Sequence, residues 1–206
     1  MPVSTAALWL NTAFADFDAQ TALFFHRLYE FGGGFFTPFF DFVSLLGKGG
    51  IFIIVLSLVL MLRKNTRRCG TAILLGISAG FLLTNCCVKL IVARPRPFSD
   101  ESTLFYQLWL KVGQSIEHDT SFPSGHTSAA MAASTAVFFT CDKRWSWTAF
   151  IFALLMGIAR IYLVVHFATD VIGGFIVGFI GGCIGVLAAS RLPYKWYSLD
   201  IIRQKE

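Results

Sequence analysis

Long apolar runs broken by short basic turns dominate this chain. A run of about 20 mostly apolar residues is long enough to cross the hydrocarbon core of a bilayer. Five segments qualify: 38–62, 70–91, 124–141, 146–165 and 168–189. Gly47-Lys48-Gly49-Gly50 interrupts the first, whose second half, Ile51 to Leu62, is unbroken. Residues 4–29 carry Asp16, Asp18, His26 and Arg27 among Leu, Trp and Phe. That mixture suits an amphipathic helix lying at the interface better than a span; a sixth crossing there is the alternative. The pattern predicts an all-α, polytopic membrane helix bundle with five transmembrane helices, or six if residues 4–29 also cross. It forms a single domain over 1–206: an interfacial N-terminal segment over 1–30, the bundle over 31–190, and a cytoplasmic tail over 191–206.

Composition agrees. Hydrophobic residues make up 55% of the chain and charged ones 14%, against about 25% charged in a soluble domain. Mean hydropathy is +0.66. Five cysteines are present without a C-x-x-C pair, so neither a disulfide framework nor a zinc site is predicted; reduced cysteines serving as small apolar residues are expected. Met1 to Ala15 has no basic stretch of the kind that begins a cleaved signal peptide. The net charge of +5 matters less than its placement. Arg63, Lys64, Arg67 and Arg68 fill one turn, Lys143 and Arg144 another, and Arg191, Lys195, Arg203 and Lys205 follow the last span. With five spans, these ten of the seventeen Lys and Arg residues share one side. Basic short loops face the cytoplasm, so the C-terminus is predicted inside and the N-terminus outside.

Three polar islands remain, all at the predicted outer ends of helices. A charge near the bilayer core costs roughly 2.5–3.5 kcal/mol on insertion scales, so each island needs a reason. In the first, Lys89 ends the second span and Arg96 follows in Arg94-Pro95-Arg96-Pro97. The prolines extend the chain and fold the basic groups back over the helix end; interfacial snorkelling is the plain alternative. In the second, Pro123-Ser124-Gly125-His126 opens an alanine-rich helix. Ser124 is an N-cap candidate, the free amides of a helix start favour an anion, and Gly125 allows close approach to the backbone. His126 is placed to hand a proton to a leaving oxygen. In the third, His166 and Asp170 are four residues apart, one helical turn. A carboxylate on one ring nitrogen fixes the tautomer and sharpens the other as a nucleophile. Attack on phosphorus would give a phosphohistidine, with the planar fork of Arg160 on the non-bridging oxygens. A structural His–Asp pair capping the last span is the alternative. Residues far apart in sequence thus meet on one membrane face, as a site requires.

The sequence resembles the type 2 phosphatidic acid phosphatase superfamily, which includes glucose-6-phosphatases and vanadium haloperoxidases. That family carries K-x6-R-P, P-S-G-H and S-R-x5-H-x3-D. Here they read KLIVARPRP over 89–97, PSGH over 123–126 and ARIYLVVHFATD over 159–170, a likeness spanning roughly residues 16–190. Ala159 in place of serine is the one departure; it removes no group that does chemistry. The resemblance implies that Lys89, Arg96, Ser124, Gly125 and Arg160 hold a phosphate. It makes His166 the nucleophile, Asp170 its orienting partner, and His126 first the acid and then the base that activates water. No metal and no other cofactor is expected, because cations and helix amides supply the electrostatics.

Other features are read more plainly. Residues 98–122 form the longest polar stretch, and Leu104 to Leu110 within it reads as a short interfacial helix, a lid or an anchor. Glu117 and His118 fit no motif and are read as solvated; Asp16, Asp18 and His26 are read as solvated or interfacial. Gly174, Gly178 and Gly182 predict close helix contact inside the chain rather than between copies; the protein is expected as a monomer or homodimer. The function expected is a membrane phosphatase acting on a lipid phosphomonoester or pyrophosphate, best undecaprenyl pyrophosphate, on the outer side of a bacterial cytoplasmic membrane. Phosphatidylglycerophosphate, phosphatidic acid and lipid A phosphates are the other substrates in view. A small anion transporter and a lipid phosphotransferase are the other functions. The partners expected are the lipid substrate and the bilayer, with no nucleic acid.

Overall fold

The computed structural model describes residues 3–198, and all regular structure among them is helical. Arg203 and Lys205, counted above toward the inner side, lie outside the described residues. Two N-terminal helices, α1 (Thr5–Ala13) and α2 (Ala15–Gly32), break at Phe14. The Ser4 hydroxyl caps α1 by accepting from the Ala7 amide at 3.0 Å. Gly33, left-handed at φ 54°, ends α2 at the position glycine favours. Helices α3 (Thr37–Gly47) and α4 (Ile51–Leu62) are one apolar stretch kinked at Gly49 and Gly50, whose φ values of 61° and 68° suit glycine. Helix α5 (Lys64–Phe81) runs into a π-helical turn (Leu82–Val88) and the short α6 (Lys89–Val92). Then come α7 (Leu104–Trp109), α8 (Gly125–Thr140), α9 (Lys143–Ser146), α10 (Ala149–Tyr162), α11 (Ala168–Ser190) and α12 (Tyr194–Ser198).

Helix α8 stands at the centre, packed by α5, α10 and α11. Its Ala130, Ala132, Thr135 and Ala136 are wholly buried. The predicted glycine face of α11 does pack inside the chain. A Cβ on Gly182 would come 2.8 Å from the Ala132 carbonyl of α8, and one on Gly181 would come 2.7 Å from the Gly80 amide of α5. Gly174 meets Ser124 and Thr127 while Gly182 meets Thr135, so α8 and α11 run parallel. Gly80 meets Ser128 while Gly76 meets Ala132, so α5 runs antiparallel to them. The start of α8, the start of α11 and the end of α5 therefore share one end of the bundle.

Four stretches among the described residues are long and apolar enough to cross a membrane: Thr37–Leu62, Lys64–Ser99, Lys143–Tyr162 and Ala168–Ser190. The predicted third span, 124–141, becomes α8, which has 16 residues. At 1.5 Å per residue that is about 24 Å, short of the ~30 Å hydrocarbon. Helices α5, α10 and α11 cover it on several sides. Exposed apolar side chains are instead spread over the outer helices, as at Ile51, Val55, Leu58 and Val59 of α4 and Ile176, Ile180 and Leu187 of α11.

The N-terminal segment departs from expectation. Asp16 is exposed, but Asp18 and His26 are 2% and 6% exposed, facing protein rather than solvent. His26 stacks on Tyr29 with ring centroids 5.3 Å apart. Helix α2 packs on α10 and α11 and so belongs to the bundle. Helix α7 is also less superficial than predicted. Leu108 and Trp109 are buried, Trp109 stacks on Phe98 at 4.9 Å, and Phe105 meets Phe167 edge-on at 4.9 Å. The stretch over 98–122 is a packed cover over the turn between α10 and α11.

Candidate active site

The π-helical turn interrupts the α-helical phase of α5 just before Lys89, which is 7% exposed. Ala93, at φ 45°, ends α6, and Pro95 and Pro97 hold the next residues extended. Arg94 and Arg96 both turn inward, 1% and 7% exposed, yet they reach different partners. Arg96 donates from Nη1 to the Val165 carbonyl at 2.8 Å and to His166 Nε2 at 2.9 Å, and from Nε to the Asp119 carbonyl at 3.0 Å. Its Nη2 and Lys89 Nζ both meet the Asp119 carboxylate.

Ser124 caps α8: its hydroxyl accepts from the Thr127 hydroxyl at 2.9 Å and from the Thr127 amide at 3.4 Å. Its own amide donates to the Asp170 carbonyl at 3.0 Å, tying the start of α8 to the start of α11. A Cβ on Gly125 would meet nothing within 4 Å, so the backbone there is bare toward the cavity. The His126 ring fits beside Gly47, where a Cβ would come 2.7 Å from it.

His166 lies in the turn between α10 and α11. Its Nδ1 is 3.4 Å from Asp170 Oδ2. Arginine can only donate, so the contact with Arg96 assigns the lone pair to Nε2 and the proton to Nδ1, facing Asp170. Asp170 is held in turn by the Phe167 amide at 2.9 Å and by Arg94 at 2.7 Å. Burial, and then the positive charges of Arg96 and Arg160, hold the His166 imidazole well below its ordinary pKa. It is therefore neutral and keeps its lone pair at neutral pH. Arg160, 1% exposed, donates to the Ser44 hydroxyl and to the Glu117 carboxylate. Its Nε is buried without a hydrogen-bond partner, an idle donor of the kind that costs free energy unless something accepts from it.

Lys89, Arg96, Gly125, His126 and His166 line one cavity of about 760 Å³; Ser124 adjoins the lining Gly125, Arg160 pairs with the lining Glu117, and Asp170 contacts the lining His166. Glu117, His118 and Asp119 also line it. All eight predicted residues are thus brought to one end of the bundle. Sequence reasoning missed the acidic loop: Glu117, read as solvated, pairs with Arg160, and Asp119 bridges Lys89 and Arg96. Burial alone would raise the Asp119 carboxyl. The hydrogen bond from Lys89 and the charges of Arg96 and Lys89 outweigh it and hold the carboxyl below its ordinary range. It missed Arg94 as well, although the Arg-Pro-Arg-Pro repeat was a signal, since a buried second arginine needs its own acid. Away from the polar end, Ile54, Leu74, Ile77, Phe81 and Leu82 continue the cavity wall between α4 and α5, so an apolar surface adjoins the cationic one.

A family profile described as the PAP2 superfamily matches residues 69–194. The chain belongs to the PAP2 superfamily. Among its relatives, the undecaprenyl-diphosphatase BcrC of Bacillus subtilis is 34% identical over 58% of this chain; the chain spans about half of that relative, 55% of its length. The lipid A 4'-phosphatase of Bacteroides thetaiotaomicron is 27% identical over 89% of this chain and 82% of its own. In structure, the chain is similar to the transmembrane PAP2-type phosphatidylglycerolphosphate phosphatase of Bacillus subtilis, with a TM-score of 0.68 and 25% identity over 91% of this chain and 92% of that one. The matched region begins inside α5, so α1 to α4, including Gly47 beside His126, lie outside it.

Proposed function

We propose that this PAP2 membrane protein hydrolyses a lipid phosphate through a phosphohistidine at His166, with undecaprenyl pyrophosphate as the leading substrate. The convergence of Lys89, Arg96 and Arg160 with the His166–Asp170 pair around one cavity carries the reading. His166 Nε2 attacks phosphorus while Asp170 accepts from Nδ1. The bond to the leaving oxygen breaks, and His126 gives that oxygen a proton. Water then attacks the phosphohistidine, His126 takes the water proton, and phosphate leaves with the P–N bond broken. Lys89, Arg96, the bare backbone at Gly125, and the idle Nε of Arg160 stabilise the charge on the non-bridging oxygens, the place where fixed donors gain most.

Two observations favour a lipid. The cationic end of the cavity runs into the apolar wall of α4 and α5, which suits a head group with its chain attached. Its volume of about 760 Å³ lies within the roughly 300–1,000 Å³ usual for ligand sites. A pyrophosphate, with more charge than a monoester, uses three cations best, and a relative bears the diphosphatase name. Phosphatidylglycerophosphate, phosphatidic acid and lipid A phosphates share the same head chemistry and stand next. The basic turns support a site on the outer face of a bacterial cytoplasmic membrane, with the C-terminus inside.

The test is phosphate release by the purified protein from undecaprenyl pyrophosphate and the other three lipid classes, with the chelator EDTA present. Wild type is expected to cleave at least one. His166→Ala should show no release, and His126→Ala should lose about 10²–10⁴-fold, the usual value of a general acid. Full activity in the His166 variant would end the nucleophile assignment. Cleavage of none of the lipids would hand the lead to an anion transporter.

A further inference from the structure

We propose that Asp18, on α2 and outside the region matched by the family, is a positioning residue for the His166 nucleophile, acting through Arg94 and Asp170. The inference rests on the nucleophile assignment above and extends it to a helix read from sequence as an interfacial amphipathic segment.

Arg94 stands between two carboxylates. Its Nη2 donates to Asp18 Oδ2 at 2.9 Å, and its Nη1 donates to Asp170 Oδ1 and to the Thr169 hydroxyl, each at 2.7 Å. Its Nε donates to Asn11 of α1 at 2.8 Å, and its guanidinium lies 3.8 Å over the Phe167 ring. Asp18 also grips the start of α11 directly: Oδ1 accepts from the Thr169 amide and Oδ2 from the Thr169 hydroxyl, both at 2.9 Å. Asp18, Arg94 and Asp170 are 2%, 1% and 0% exposed. Both N-terminal helices thus bond to residues that flank or hold the nucleophile.

Burying a charge in this way is expensive, and α1 and α2 already have cheaper anchors. Ala7 and Leu10 pack on Val92, and Ala22 joins the core. The charge balance gives Asp18 its purpose. One arginine between two carboxylates leaves a net charge of −1 on the Nδ1 side of His166. Without Asp18, Arg94 would cancel Asp170 and the histidine would lean on a neutral pair. On its other side His166 faces Arg96, Arg160, Lys89 and His126, with Asp119 and Glu117 beyond them on the loop. When Nε2 bonds to phosphorus, the imidazole gains positive charge among those cations. The surplus negative charge behind it offsets that gain, and the Thr169 bonds keep Asp170 aimed.

The full-length protein in detergent provides the test, with undecaprenyl pyrophosphate (or the lipid cleaved best) as substrate. Asp18→Asn keeps the shape and removes the charge. It should lower kcat by about 10- to 100-fold, the range known for removing the outer partner that orients a metal-bound histidine. KM should stay within about threefold, because Asp18 touches no phosphate. The acid limb of the kcat/KM profile should move to lower pH, since less negative charge beside His166 makes it harder to protonate. Asp16→Asn, on the exposed side of the same helix, should match wild type. The double variant Asp18→Asn/Arg94→Gln restores a net −1 through Asp170 alone and should be more active than Asp18→Asn. A merely structural role would make it less active, and a thermal melt of each variant reports folding separately. Wild-type kcat and pH profile in Asp18→Asn, or a double variant below the single one, overturns the proposal. An inactive His166→Ala beside an unimpaired Asp18→Asn sinks the positioning role alone; an active His166→Ala sinks the nucleophile assignment itself.

Discussion

Arg94 and Arg96 are two residues apart, both buried, and opposite in circumstance. Arg94 is matched by Asp18 and Asp170, carboxylates on helices and nearly without exposure. Arg96, with Lys89 and Arg160, is matched by Asp119 and Glu117, whose side chains are 52% and 27% exposed on a loop. The first half of the site has its countercharges fixed in the fold. The second half has countercharges that water can take over and that a phosphate can replace. A cation destined for substrate must be stable in the empty site yet free to change partners. A loop carboxylate meets both demands, and a helix-borne one does not. On the proposed function, the same residue type two positions away is framework in one case and phosphate site in the other.

The sharpest way to break this comparison is to remove each arginine. Arg94→Met leaves two buried carboxylates uncompensated, and breaking such a pair costs about 3–5 kcal/mol. Its melting temperature should fall well below wild type. Arg96→Met leaves Asp119 free to hydrate and should melt close to wild type, yet lose about 10²–10³-fold in kcat, the usual effect of deleting one donor to a developing oxyanion. Thermal unfolding and phosphate release in the same detergent measure both. Equal melting losses would show that the two halves are held alike.

Removing the loop carboxylates asks a gentler question. Asp119→Asn and Glu117→Gln each release cations that substrate must otherwise pull away. Half-exposed pairs are worth about 1 kcal/mol or less, and tenfold corresponds to about 1.4 kcal/mol. Inorganic phosphate should therefore inhibit each variant about two- to fivefold more tightly than wild type. Weaker inhibition would mean that the loop assists phosphate binding instead of competing with it.

What the sequence reveals follows the same division. The cations and the His–Asp pair were legible because fixed spacing on helices and costly charges in apolar runs both mark them. Asp18 was not. An aspartate on a helix bearing exposed Phe17 and Phe24 looks the same whether it faces water or a buried arginine 76 residues away. Glu117 and Asp119 were hidden because a loop places its side chains by tertiary contact, with no period to read. Four of the five predicted spans were visible as long apolar runs. The central α8 lies where the third span was predicted, over 16 residues and shorter than the other four stretches.

The smallest expected effect is also the most specific to the exchangeable half. The Asp119 carboxyl is held below its ordinary range by Lys89 and Arg96. A carboxylate with a lowered pKa keeps its pairing above the unfolded value and loses it as pH falls through the folded one. The loop contact is therefore fully charged from neutral pH down to the ordinary carboxylate range, about pH 4, and weakens only below it. Inorganic phosphate itself titrates across the neutral range, but equally for every variant, so it cancels in a ratio. The ratio of phosphate inhibition constants, wild type over Asp119→Asn, should hold constant from about pH 8 to pH 5 and fall toward one only in stronger acid. A ratio that already collapses near pH 6 would show that a group other than Asp119 sets the competition, because no carboxylate paired with two cations gains a proton there.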